Sequence, residues 1–141
     1  MSAAHIPEAS IVTDIAILSD LWEGFPEAES VVRRAVAAVA ARADVAVPAE
    51  AELSLALADD AMVQALNRDY RSKDKPTNVL SFPAPHGPLL GDVIIAFETL
   101  TREAAEEELT PADHLAHLTI HGLLHLLGYD HETEAEALRM E

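Results

Sequence analysis

Apolar and polar positions change their spacing several times along the chain, and each change marks an element. Ile11-Val-Thr-Asp-Ile-Ala-Ile17 alternates and is β-rich, which predicts a first strand. Pro26 and the acids behind it open a helix through about Ala43, with Val31, Val32, Ala35, Val36, Val39 and Ala40 on one face. Val45 to Ala49, holding Pro48, reads as a connector, and Leu53-Ser-Leu-Ala-Leu57 alternates again as a second strand. Asp59 or Asp60 then caps a short helix carrying Met62, Leu66 and Tyr70 at helical spacing. Arg71 to Thr77 is polar and contains Pro76, so it reads as a loop. Asn78 to Phe82, closed by Pro83, is a third strand. Gly91 to Phe97 is a fourth, and its unbroken apolar run predicts burial on both faces.

The second half is helical. Glu98 to Glu108 is strongly acidic and reads mostly as a solvated face. Thr110-Pro111-Ala-Asp113 supplies a threonine cap, proline at the first helical position and an acid three residues after the cap. The helix it starts runs to Leu127 with leucines nearly all round, the mark of a buried helix. Glu132 to Glu141 reads as a last amphipathic helix. These elements predict an α+β fold, with a small four-stranded mixed sheet, helices packed over it and one buried central helix. At 141 residues the chain is expected to form one domain over 1–141.

Charge and cysteine content narrow the function classes. No cysteine is present, which rules out disulfides and thiolate ligands and fits a reducing, cytoplasmic setting. The start of the chain lacks the basic and apolar runs of a signal peptide, and no stretch approaches a membrane span. The net charge of −16 repels nucleic acid overall. Four of the nine basic residues nevertheless fall between Arg68 and Lys75, a place where a polyanion could dock or, equally simply, a solvated loop.

The chemistry concentrates in His121-Gly-Leu-Leu-His125-Leu-Leu-Gly128-Tyr-Asp-His131. Histidines four apart share one helix face. Gly128 can take the left-handed conformation that ends a helix, which lets His131 return towards the first two. Three neutral imidazoles with an open fourth position make a catalytic zinc site, one ion per chain. A set of His117, His121 and His125 is rejected, because eight residues of straight helix span ~12 Å, whereas zinc–nitrogen bonds are about 2 Å. His117 is then a partner of a ligand or a packed core residue, and His114 structural or at the surface. Asp130 either orients an imidazole or serves the turn, and Tyr129 packs. The histidines and glycine match the zinc-peptidase pattern, but Gly122 stands where a peptidase has its glutamate base.

The string His117-Leu-Thr-Ile-His-Gly-Leu-Leu-His-Leu-Leu-Gly-Tyr-Asp-His-Glu132 closely resembles the signature of the YbeY family. So does Leu66-Asn-Arg-Asp-Tyr-Arg-Ser-Lys-Asp-Lys-Pro-Thr-Asn-Val-Leu-Ser-Phe-Pro83, and Leu90-Gly-Asp-Val-Ile94 resembles a third family segment. The resemblance implies a zinc-dependent endoribonuclease acting on single-stranded RNA, in maturation of the small-subunit (16S) ribosomal RNA 3′ end and in ribosome quality control. It implies zinc ligands at His121, His125 and His131, and places the family's functional arginine at Arg71. Its partners would be ribosomal RNA and the small ribosomal subunit or its proteins, with no DNA and no membrane. On this reading Arg71 grips phosphate in bidentate fashion and Lys73 and Lys75 guide the RNA backbone. The competing readings are another zinc hydrolase, such as a peptidase or amidase, and a non-catalytic ribosome-assembly factor with structural zinc.

Overall fold

The computed structural model describes residues 10–85 and 87–129. The helix expected over Glu132–Glu141, together with Asp130 and His131, lies outside the described residues. Four strands, β1 (Ile11–Ile17), β2 (Ala51–Ala58), β3 (Val79–Pro83) and β4 (Leu89–Ala96), form one sheet in the order β1-β2-β4-β3. The first two pairings are parallel and β3 is antiparallel to β4, so the sheet is mixed. Among the described residues four α-helices accompany it: α1 (Ala28–Ala40), α2 (Asp60–Arg71), α3 (Phe97–Glu106) and α4 (Pro111–Leu126). The α+β architecture matches the expectation. No helix among the described residues is long and apolar enough to cross a membrane.

Strand alternation divides the side chains between two layers. Leu53, Leu55, Leu57, Val93 and Ile95 point to one face, where they bury the valines of α1 and Leu115, Leu118, Leu123 and Leu124 of α4. Ala58, Ile94, Ala96 and Leu80 point to the other, where Val63 and Leu66 of α2 cover them. Four consecutive residues of β4, Val93 to Ala96, are therefore buried, as the unbroken apolar run predicts.

Several boundaries differ from those read in the sequence. A 3-10 turn at Asp20–Gly24, absent from the reading, seats Trp22, whose indole N–H donates to the Ala58 carbonyl at 2.8 Å. Helix α1 ends at Ala40 rather than near Ala43. Helix α2 runs one residue further than expected and includes Arg71, because Ser72 adopts the left-handed conformation (φ 58) and caps it. Helix α3 begins at Phe97, where a strand end was expected. Its start is tied to α2: Asp60 Oδ1 accepts from the Thr99 N–H and hydroxyl at 3.1 and 2.8 Å, and the Asp60 N–H donates to Glu98 at 2.8 Å.

Candidate active-site cleft along the edge strand

Helix α4 forms where its capping residues predict. Thr110 Oγ1 accepts from the Asp113 N–H at 3.0 Å, and Pro111 takes the first helical position, where its missing N–H costs nothing. The helix stops as predicted. Gly128 is left-handed (φ 97), its N–H donates to the His125 carbonyl at 3.1 Å, and the Tyr129 N–H reaches back to Leu124 at 2.9 Å. That is the paired bonding of a Schellman cap. The Tyr129 hydroxyl accepts from the Ala46 N–H at 3.3 Å, so this tyrosine anchors the helix end to the connector after α1.

His121 and His125 lie one turn apart on this continuous helix, and both are half-buried. A rigid helix is a good mount for metal ligands, because it holds donor spacing without ordering a loop. Two imidazoles at i and i+4 fit the donor chemistry of a zinc site. The third expected ligand, His131, and the neighbouring Asp130 lie outside the described residues. His117 stacks between its neighbours, 6.1 Å from the His114 ring at 13° and 6.5 Å from the His121 ring at 27°. It is half-buried, touches a candidate ligand and lines the same cavity as that ligand.

That cavity, about 440 Å³, is lined by Asn78, Glu103, Glu107, His114, His117 and His121 among others. Glu103 has no signal in the sequence, where the acidic run Glu98 to Glu108 reads as a mostly solvated face. Its Oε1 lies 2.9 Å from His114 Nε2 and accepts from the Asn78 amide at 2.9 Å. His114 is buried, not at the surface, and its Nδ1 has no hydrogen-bond partner among the described residues. Glu103, Glu107 and His114 place one donor atom each within 4.8 Å of one another, a group able to hold a metal ion. No spacing signal marks Glu103, because α3 and α4 meet only through the fold.

Gly122 shows why the peptidase glutamate has no place here. A Cβ at this position would meet Val93 Cγ1 at 3.0 Å, Ser81 Oγ at 3.1 Å and Val93 Cγ2 at 3.2 Å. The helix therefore lies directly on β3 and β4, and Ser81 Oγ donates to the Gly122 carbonyl at 3.3 Å. A longer side chain points into the sheet, not towards a metal. Gly122→Glu is expected to destabilise the fold by about 3 kcal/mol or more, combining overpacking with a buried unpaired carboxylate, and to bring no peptidase activity. Urea unfolding checks this, and a loss under about 1 kcal/mol would show that the helix can move aside.

The basic segment is built onto the opposite side of the edge strand. Ser81 faces α4, whereas the next side chain, Phe82, packs with the layer of α2. Behind Arg71, the loop returns alongside α2 and is pinned there. The Asn67 amide, 3% exposed, donates to the Lys75 carbonyl at 3.0 Å, and Gln64 donates to Asp74 at 3.0 Å. Arg71, Lys73 and Lys75 are exposed and make no ion pair among the described residues. Arg68, by contrast, is paired with Asp69 at 3.0 Å, which raises its pKa first through that hydrogen bond.

Comparisons with known proteins bear on this arrangement. The family model described as Endoribonuclease YbeY matches residues 23–141. An Endoribonuclease YbeY of Bradyrhizobium sp. strain BTAi1 is 49% identical over 96% of this chain and 86% of its own length. One from Rhodopseudomonas palustris strain BisA53 is 51% identical over 92% of this chain and 80% of its own. The solution structure of TM1509 from Thermotoga maritima superposes with a TM-score of 0.50 at 25% identity, covering 90% of this chain and 84% of that one. The matched residues take in α4, the basic loop and the edge strand between them, and on that footing the chain belongs to the YbeY endoribonuclease family.

Proposed function

We propose that this protein is a metal-dependent endoribonuclease, formed by one domain over 1–141, that cuts single-stranded RNA. Its setting is cytoplasmic: maturation of the 16S ribosomal RNA 3′ end and ribosome quality control, in contact with the small subunit or its proteins. Family membership supports the reaction class. The observation that carries the reading is the half-buried His121–His125 pair on a capped, rigid helix, with His121 lining a polar cavity, and with exposed cations across the edge strand that make no ion pair among the described residues.

On this reading His121, His125 and His131 hold one zinc ion. When bound, the ion supplies Lewis-acid stabilisation of charge on the phosphoryl oxygens. The chain's own side chains do the rest. Attack at phosphorus, by water or by the adjacent 2′-hydroxyl, breaks a P–O bond of the backbone and passes through a state with added negative charge. Arg71 pairs with that phosphate through two parallel N–H donors, which keeps it in line and offsets the charge. Lys73 and Lys75 hold flanking phosphates as point charges. His117, stacked on His121, fixes the orientation of that ring, and Asp130 serves a neighbouring imidazole.

The test is cleavage of a 5′-labelled single-stranded RNA by zinc-loaded protein, with and without chelator. Cleavage that chelation abolishes and added zinc restores is the expected result. Intact RNA with zinc still bound would favour a non-catalytic assembly factor instead. A duplex of the same sequence is expected to resist cutting.

A further inference from the structure

Tyr70 is an aromatic ring that the fold does not use for its core. It stands on the last turn of α2 and is 71% exposed. Burying such a ring would be worth roughly 1.5–3 kcal/mol to a fold, so its exposure points to a use outside the chain. It is nevertheless held in place. Its ring meets Phe82 edge-on, with centroids 5.6 Å apart at 62°. Tyr70, Phe82, Leu66, Ile94 and Asp92 line an open cavity of about 360 Å³, within the range of small-molecule sites.

The surroundings select the occupant. Arg71 follows Tyr70 directly, and Lys73 and Lys75 follow on the pinned loop, all exposed and without ion pairs among the described residues. An aromatic platform beside unpaired cations is how proteins take single-stranded nucleic acid: bases stack while the cations hold the backbone. Asp92 refines the choice, because an exposed carboxylate on the rim repels phosphate and accepts hydrogen bonds from a base amino group.

We propose that the Tyr70–Phe82 pocket is a nucleobase subsite, stacking one unpaired base of an RNA strand next to the phosphate at Arg71, with Asp92 favouring the amino-bearing bases adenine, cytosine and guanine over uracil. This rests on the proposed nuclease reading for its substrate, yet it concerns binding and is measurable without cleavage. It gives a reason for preferring single strands, since a paired base cannot present its face to Tyr70.

The experiment is fluorescence anisotropy with full-length zinc-loaded protein and a 2′-O-methyl single-stranded oligonucleotide, which removes the 2′-hydroxyl nucleophile, with chelated protein as control. Tyr70→Ala is expected to weaken binding by roughly 5- to 100-fold, whereas Tyr70→Phe and Tyr70→Trp stay near wild type. One abasic position in the oligonucleotide should weaken wild-type binding by a similar factor and leave Tyr70→Ala unchanged. Asp92→Asn should reduce the preference for amino-bearing bases over uracil. Binding by Tyr70→Ala within twofold of wild type overturns the proposal, and so does failure of the wild type to bind. Unchanged oligonucleotide binding with lost association to ribosomal subunits would assign the patch to a protein partner and overturn it equally. Base-dependent binding without any RNA cleavage would sink the nuclease reading while sparing the subsite. Cleavage with no effect of Tyr70 would do the reverse.

Discussion

Replacing His121 or His125 with alanine is expected to abolish stoichiometric zinc binding and to slow RNA cleavage by at least about a thousandfold, or about 4 kcal/mol of barrier. The reason is geometric. Both side chains project from α4 between a proper N-cap and a Schellman stop, so the helix has no slack with which to supply another donor. Removing even an outer partner of a metal-binding histidine costs 10- to 100-fold, and losing one of three ligands should cost more. Zinc content by atomic absorption and single-turnover cleavage read the two effects separately, with circular dichroism to check the fold. Full zinc and wild-type cleavage in His121→Ala would remove the three-histidine assignment. The ion would then be sought at Glu103, Glu107 and His114, which already lie close together, and Glu103→Gln would become the decisive variant.

Arg71→Ala should slow cleavage by about 100- to 1,000-fold, the range for losing one preorganised donor to a developing oxyanion, while zinc stays at one per chain. These two outcomes together separate Arg71 from the metal ligands. Arg71 ends α2 immediately before the left-handed Ser72 cap, and the following loop is pinned through Asn67 and Gln64. Its backbone is therefore ordered, and truncation removes a guanidinium without freeing the loop. Arg71→Lys should recover a minor part of the activity, because an ammonium keeps the charge but not the two parallel donors. Wild-type turnover by Arg71→Ala would exclude it from phosphate binding and leave Lys73 and Lys75 as the cations of the segment without an ion pair among the described residues.

The elements were legible because their signals are local. Strand β1 has the ends read from its alternation, and α4 begins and stops at its predicted capping residues. Helix α2 shows the limit of such reading. Pro76 marks that a loop is coming, but the helix end is set by Ser72 and by a buried asparagine bonded to Lys75, neither of which has a proline's signature. Trp22 is a similar case, since its turn is fixed by a hydrogen bond to Ala58, thirty-six residues away.

The candidate site divides in the same way. Histidine spacing, the glycine stop and the basic cluster are written in consecutive residues, because helical periodicity and capping act within a turn or two. The chain alone thus determined the element types, the α+β class and the pairing of His121 with His125 on one face. Tertiary structure decided what depends on distant segments meeting. It set the strand order β1-β2-β4-β3 and the contact of Glu103 with His114. It also pressed Gly122 against Val93 and set Tyr70 on Phe82. Such contacts follow from which faces bury one another, and burial is non-directional, so no local spacing encodes them.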